Sequence, residues 1–284
     1  MRTVPVQDPV YRDRVHNLKI FGLSGREGSG KSASAKIVRE LYGAGSSNDL
    51  HPPGDPNVLQ YCVRILFGCK VGDREYMDSV EVLKNLLRQH TCMAVLSRLD
   101  KPPRPVPKPW YEAKTSVYES AFANPLKLVC AQLFNVDYVI LDGVSPETRA
   151  LRENMTTEMT VGGVKGRTLR NVLEYMGTEV FRGYDQDFWI KAFKRGVDYI
   201  RNLPNSRVLI VPDVRFENEL KAVLELGGVG YVIYREEKEL VLTEEDKKQH
   251  VAKWGHLQYL DRLVRLPNVG SIGDLAKVWM ELLR

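Results

Sequence analysis

Eight consecutive residues, Gly25-Arg26-Glu27-Gly28-Ser29-Gly30-Lys31-Ser32, match G-x-x-x-x-G-K-[ST] in full. That spacing carries one particular chemistry. Gly25, Gly28 and Gly30 permit backbone conformations closed to other residues. Consecutive backbone N–H groups, that of Ser29 among them, then converge on a phosphate. A helix opening directly behind the loop adds its positive end. Lys31 reaches the β- and γ-phosphates of a nucleoside triphosphate, and the Ser32 hydroxyl is a ligand for Mg²⁺. ATP is the expected triphosphate and Mg²⁺ the expected cofactor.

A second cluster follows the apolar run Val208-Leu209-Ile210-Val211, which predicts a buried strand ending at Pro212-Asp213. Behind a loop of this type an acid at a strand end lies near the metal, so Asp213 joins Ser32 as a metal candidate. Arg215 and Glu219, four apart, can share a face at the start of the next helix. Between the clusters, Arg170, Glu174, Thr178 and Arg182 recur every four residues and form a polar stripe. Leu169, Val172, Leu173, Met176 and Val180 form the opposite, buried face. Gly177 inside that helix costs about 1 kcal/mol relative to Ala and marks a close approach by a ligand or another backbone. Trp189 is placed to stack on a base or to fill the core.

These residues need elements to hold them. Residues 18–24 read as a buried strand feeding the glycine loop, and residues 34–41 as the helix behind it, ended by Gly43 and Gly45. Residues 46–57, with three prolines, read as a loop; 58–70 are apolar and ambiguous; 74–99 predict one amphipathic helix. Residues 101–109, K-P-P-R-P-V-P-K-P, are an extended connector. A strand over 116–123 leads into a helix from Asn124 to about Phe134, with Pro125 in its first turn. Residues 136–166 read as mostly irregular, with a short helix near 146–155 and a mobile glycine loop at Gly162, Gly163 and Gly166. Helices are expected over 168–182, 187–200, 216–226 and 274–283, strands over 207–211 and 229–234, and partly helical chain over 236–262. Strands alternating with helices predict an α/β fold with a mainly parallel sheet and helices on both faces. The chain reads as one domain over 1–284, with 46–116 inserted between the loop's helix and the second strand.

Composition narrows the classes. Apolar residues at 43% and charged residues at 27% are ordinary for a soluble globular chain. A net charge of +5 suits a small anionic substrate, and no dense basic block with interleaved aromatics argues for nucleic acid. Cys62, Cys69, Cys92 and Cys130 lack zinc or CxxC spacing and read as reduced thiols. Residues 1–17 form a polar arm without the apolar stretch of a signal peptide, and no run is long enough to span a membrane. The expected location is the cytoplasm.

Several motifs line up in order: residues 25–32; Phe122-Ala123-Asn124-Pro125-Leu126-Lys127; Thr168-x-Arg170 with Gly177-Thr178-Glu179 and Arg182; Phe188-Trp189-Ile190; and Asp213-Val214-Arg215-Phe216-x-Asn218-Glu219. With them the sequence resembles the deoxynucleoside monophosphate kinases of tailed bacteriophages, over about residues 18–235 without the insertion. The resemblance implies a P-loop kinase fold and transfer of the ATP γ-phosphate to a 5′-deoxynucleoside monophosphate. It implies an acceptor site lined by Arg170, Glu174, Gly177, Thr178, Trp189, Asp213, Arg215 and Glu219, and it implies homodimers. Glu174 stands where the family often has Gln, and the family's C-terminal His-x-Ser-Glu signature is not evident near His250 or His256.

The expected catalytic set is Lys31, Arg170, Asp213 and Arg215, the two arginines clamping the acceptor phosphate. Arg152, Lys165, Arg167 and Arg235 are unranked candidates to close over the transferring group. Another small-molecule P-loop kinase, such as one acting on dephospho-coenzyme A, is the nearest alternative; a nucleotide-dependent switch or NTPase is the next.

Overall fold

A computed structural model describes residues 18–26, 28–42, 50–51, 54–107, 116–203, 206–212, 214–236 and 262–283. The expectations for the N-terminal arm, for Gly43 and Gly45, for Asp213 and for 237–261 lie outside the described residues.

The central element is β1 (Lys19–Ser24), buried from Ile20 onward and leading straight into the glycine loop and α1 (Lys31–Leu41). After it come a two-residue strand β2 (Leu50–His51), then α2 (Val58–Phe67), α3 (Tyr76–His90), α4 (Met93–Leu96) and β3 (Val106–Pro107), which pairs with β2. The chain continues through β4 (Val117–Glu119), α5 (Asn124–Leu133), α6 (Tyr138–Asp142), α7 (Pro146–Asn154) and α8 (Leu169–Tyr175). A π-helical segment (Met176–Arg182) extends α8, and α9 (Phe188–Arg201), β5 (Val208–Val211), α10 (Glu217–Glu225), β6 (Val229–Tyr234), β7 (Val264–Pro267) and α11 (Ile272–Leu282) complete the order.

Five strands form one sheet in the order β4-β5-β1-β6-β7, every pairing parallel. Parallel neighbours require crossover helices, and these cover both faces. Alternation sorts the strand residues. Phe21, Leu23, Ile210, Tyr231 and Ile233 join α1 and α11 in one core around Trp279. Ile20, Tyr118, Leu209, Val211 and Val232 face the larger core built with α2, α3, α5, α8, α9 and α10. Gly22 and Gly230 face that larger core too; a Cβ on Gly230 would come within 2.6 Å of Leu220, so α10 lies tight against β1 and β6. The expected α/β fold with a parallel sheet and helices on both faces is the fold observed, and its architecture is P-loop-kinase-like. Residues from α2 and α3 share the larger core. Among the described residues no helix is long and apolar enough to cross a membrane.

Four local expectations are corrected. The helix expected over 74–99 breaks at Thr91: its backbone turns extended to bridge Val161, and its hydroxyl caps Leu87 O at 2.6 Å. Residues 136–166 hold two helices rather than one, because Asp137 and Ser145 each cap a separate start. The strand expected over 116–123 stops at Glu119. β7 is an additional strand that the sequence reading did not foresee.

Candidate nucleotide-binding site

The glycine loop leaves the carboxyl end of β1, the central strand, where ligands of open parallel sheets bind. Gly25, Gly28 and Gly30 have φ of 135°, 79° and 112°. A side chain at Gly25 would strike the backbone oxygen of Ile233 at 2.3 Å, so β6 forms the wall of the loop. Gly30 is the N-cap of α1 and has no side chain with which to cap; no acid sits in the first turn. The first N–H groups of α1 are therefore without a side-chain cap, the arrangement that suits an anion. Lys31 Nζ donates to Gly25 O (2.6 Å) and Arg26 O (2.9 Å), which holds the ammonium over the loop. Ser29 is buried, and Ser32 is exposed on the first turn of α1. A hydroxyl and a carboxylate are hard oxygen donors, the kind Mg²⁺ takes while it keeps several waters. Of the two expected ligands only Ser32 lies among the described residues, and its hydroxyl is exposed on the first turn of α1.

Beside the loop opens a cleft of about 500 Å³, lined by Ala33, Arg235, Asn268, Val269, Ile272 and Leu275. Asn268 is central to it. Its side chain donates to Ser29 O at 2.7 Å, and its backbone N–H donates to Tyr234 O at 2.7 Å. Sequence reasoning named Arg235 but missed the 268–275 wall. The available signal was Ser271-x-x-Asp274, which forms a capping box at the start of α11. Ser271 and Lys277 hold the Asp274 carboxyl down at about 2.

On the other side of β1 lies the turn after β5. Val214 N–H donates to Leu23 O (3.0 Å) and Ser24 Oγ donates to Val214 O (2.7 Å), so the turn is stitched to the residues immediately before Gly25. Arg215 follows and is exposed. Glu219 is not exposed. Its Oε1 accepts from Arg182 Nη2 at 2.7 Å, and its Oε2 accepts from the N–H groups of Arg215 (2.9 Å) and Phe216 (3.2 Å).

The polar stripe is brought together on one side: Arg170, Glu174 and Thr178 are at least partly open, and Arg170 Nε donates to Glu174 Oε1 at 2.6 Å. Two other expectations, one on this helix and one on α9, resolve differently. Gly177 is buried and approached by the Leu126 side chain of α5, which a Cβ would meet at 2.8 Å. Trp189 is 3% exposed, its indole N–H donates to Gly177 O at 3.0 Å, and its ring packs on Phe181 and Phe188. Its face is taken by the core. Arg167 is occupied as well: it donates to Val161 O (2.8 Å) and lies over Tyr175. Arg152 pairs with Glu153, and Lys165 is exposed. At the end of β4, burial pushes the Glu119 carboxyl above its ordinary range while Arg39, 2.9 Å away, pulls it down.

A glycine loop of this geometry, at the carboxyl end of the central strand of a parallel sheet and opening a helix, defines a P-loop-kinase-like α/β protein. Comparison with known proteins adds a relative. A protein of Acanthamoeba polyphaga mimivirus named "Putative deoxynucleotide monophosphate kinase" is 28% identical over 119 residues, which is 39% of this chain and 56% of that protein. The chain thus spans about half the length of the curated relative it matches. No protein-family model matches the chain. The likeness points to a nucleotide kinase.

Proposed function

We propose that this protein transfers the γ-phosphate of ATP to a 5′-deoxynucleoside monophosphate. The observation that carries the reading is that the two elements expected to handle phosphate are stitched together: Val214, next to Arg215, is hydrogen-bonded to Leu23 and Ser24, directly before the glycine loop. The distant relationship to the mimivirus protein supports it.

In this reading the loop amides and Lys31 hold the β- and γ-phosphates, and the base enters the cleft, where the Arg235 guanidinium can lie over its face. Ser32 and Asp213 would hold Mg²⁺, which when bound neutralises charge on the β- and γ-oxygens. Arg170 and Arg215 clamp the acceptor phosphate, since a guanidinium fork matches phosphate geometry. Arg170 must first leave Glu174. Both side chains are well exposed, at 39% and 57%, and such a pair is worth about 0–1 kcal/mol, so the exchange costs little. Glu174 and Thr178 then read base or sugar edges. The rate comes from positioning and charge neutralisation, with no covalent intermediate on the protein.

The test is ADP release with a panel of deoxynucleoside monophosphates, ribonucleoside monophosphates and dephospho-coenzyme A. Turnover should appear with a deoxynucleotide and vanish in Lys31→Ala while the far-UV spectrum is kept. Turnover with dephospho-coenzyme A alone, or an undiminished Lys31→Ala, overturns the reading.

A further inference from the structure

We propose that Arg182 and Glu219 are positioning residues: together they hold the 214–216 turn so that Arg215 meets the acceptor phosphate from a set direction. The inference rests on the function proposed above and deepens it. Glu219 is a carboxylate on the first turn of a helix, yet it is 3% exposed. One oxygen takes Arg182, and the other takes the backbone N–H groups of Arg215 and Phe216. The Arg182 guanidinium also lies over the Phe216 ring, 3.9 Å from its centre. Both partners therefore grip the same short turn, one through its amides and one through its ring.

An ion pair this buried is a poor way to gain stability, because desolvation offsets most of the attraction. Its particular product is direction. Fixing the N–H groups of Arg215 and Phe216 sets the backbone from which the Arg215 side chain departs, and Val214, next in line, is already fixed to β1. The π-helical segment makes the reach possible. In an α-helix residues four apart overshoot by about 40°, so three such steps would carry Arg182 about 120° away from Arg170. The i→i+5 pairing over Met176–Arg182 turns less per residue than an α-helix, which offsets that drift, and Arg182 meets Glu219 and Phe216. Arg170 is thereby linked to Arg215 through α8, the π segment and the Arg182–Glu219 pair. Two guanidinium groups that clamp one phosphate need that fixed separation.

Steady-state kinetics on the full chain, with the acceptor identified by the panel, test this in Arg182→Lys, Glu219→Gln and the double variant. Each single change should raise the acceptor KM roughly tenfold and lower kcat, leaving the KM for ATP unchanged. The double variant should be no worse than the worse single one, since the two residues act as a unit. Folded variants with a wild-type acceptor KM overturn the proposal, and so does a KM for ATP that rises in step, which would mean general loosening. If Glu219→Gln does not fold, Arg182→Lys, which keeps the charge, decides alone. A wild-type protein that uses no acceptor sinks this inference together with the function; an active wild type with unaltered variants sinks the inference only.

Discussion

Replacing each loop glycine by alanine should damage the protein in a fixed order: Gly28 least, Gly30 more, Gly25 most. At Gly28 φ is +79° and a new Cβ meets nothing within 4 Å, so the cost is that of a left-handed conformation, about 1 kcal/mol. At Gly30 φ is +112° and the Cβ would sit 2.3 Å from the Asn268 amide nitrogen. Asn268 can swing away, but it then loses its bond to Ser29 O, which adds about 1 kcal/mol. At Gly25 φ is +135° and the obstacle, also at 2.3 Å, is the backbone oxygen of Ile233. That oxygen belongs to β6, which is paired with β1 on one side and β7 on the other and has no room to retreat. Strain and overpacking together should cost about 3 kcal/mol or more. Urea unfolding gives the stabilities, and titration calorimetry with ATP should lose affinity in the same order. A Gly25→Ala protein as stable and as tight for ATP as Gly28→Ala would refute the geometry of the loop wall.

Trp189→Phe should keep the acceptor KM and lose about 1–3 kcal/mol of stability, because the buried Gly177 oxygen loses its donor; an altered KM at unchanged stability would put the ring at the substrate instead. Glu119→Gln should become more stable relative to wild type as pH rises from 4 to 7. Burial raises the folded-state pKa of Glu119, so its contribution is fullest below the ordinary carboxylate value and is lost as pH climbs through the folded one. Urea titrations of both proteins across that range measure the gap, and a pH-independent gap would contradict the assignment.

Much of the fold is written in short-range pattern, and the exceptions share a cause. β1 and β5 are continuous apolar runs because a parallel strand in mid-sheet is buried on both faces. β7 is an edge strand: of Val264-Arg265-Leu266-Pro267 only Leu266 is buried, so no run announces it. With β7 hidden, the cleft wall behind it was hidden too. The break at Thr91 coincides with a bridge to Val161, seventy positions away, and the π segment is contacted by Leu126, Trp189 and Glu219. None of these partners is visible from the local spacing. The stripe of Arg170, Glu174 and Thr178 was legible because its period is local. The fate of Glu219 was not, because an acid four residues after an arginine looks the same whether it faces a ligand or a buried guanidinium.

Asn268 has a consequence for the order in which the protein becomes competent. The glycine loop is held at Ser29 O by a side chain 239 positions further along, which is itself anchored to the end of β6. Contacts of such separation form late, after the chain between them has been gathered. During synthesis, with the N-terminal part emerging first, β1 and its loop leave the ribosome long before the strand that steadies them. The segment that looks most complete as a motif thus depends for its shape on a contact far along the chain. A chain cut before residue 268 would carry the whole motif without the hold on Ser29 O that shapes it.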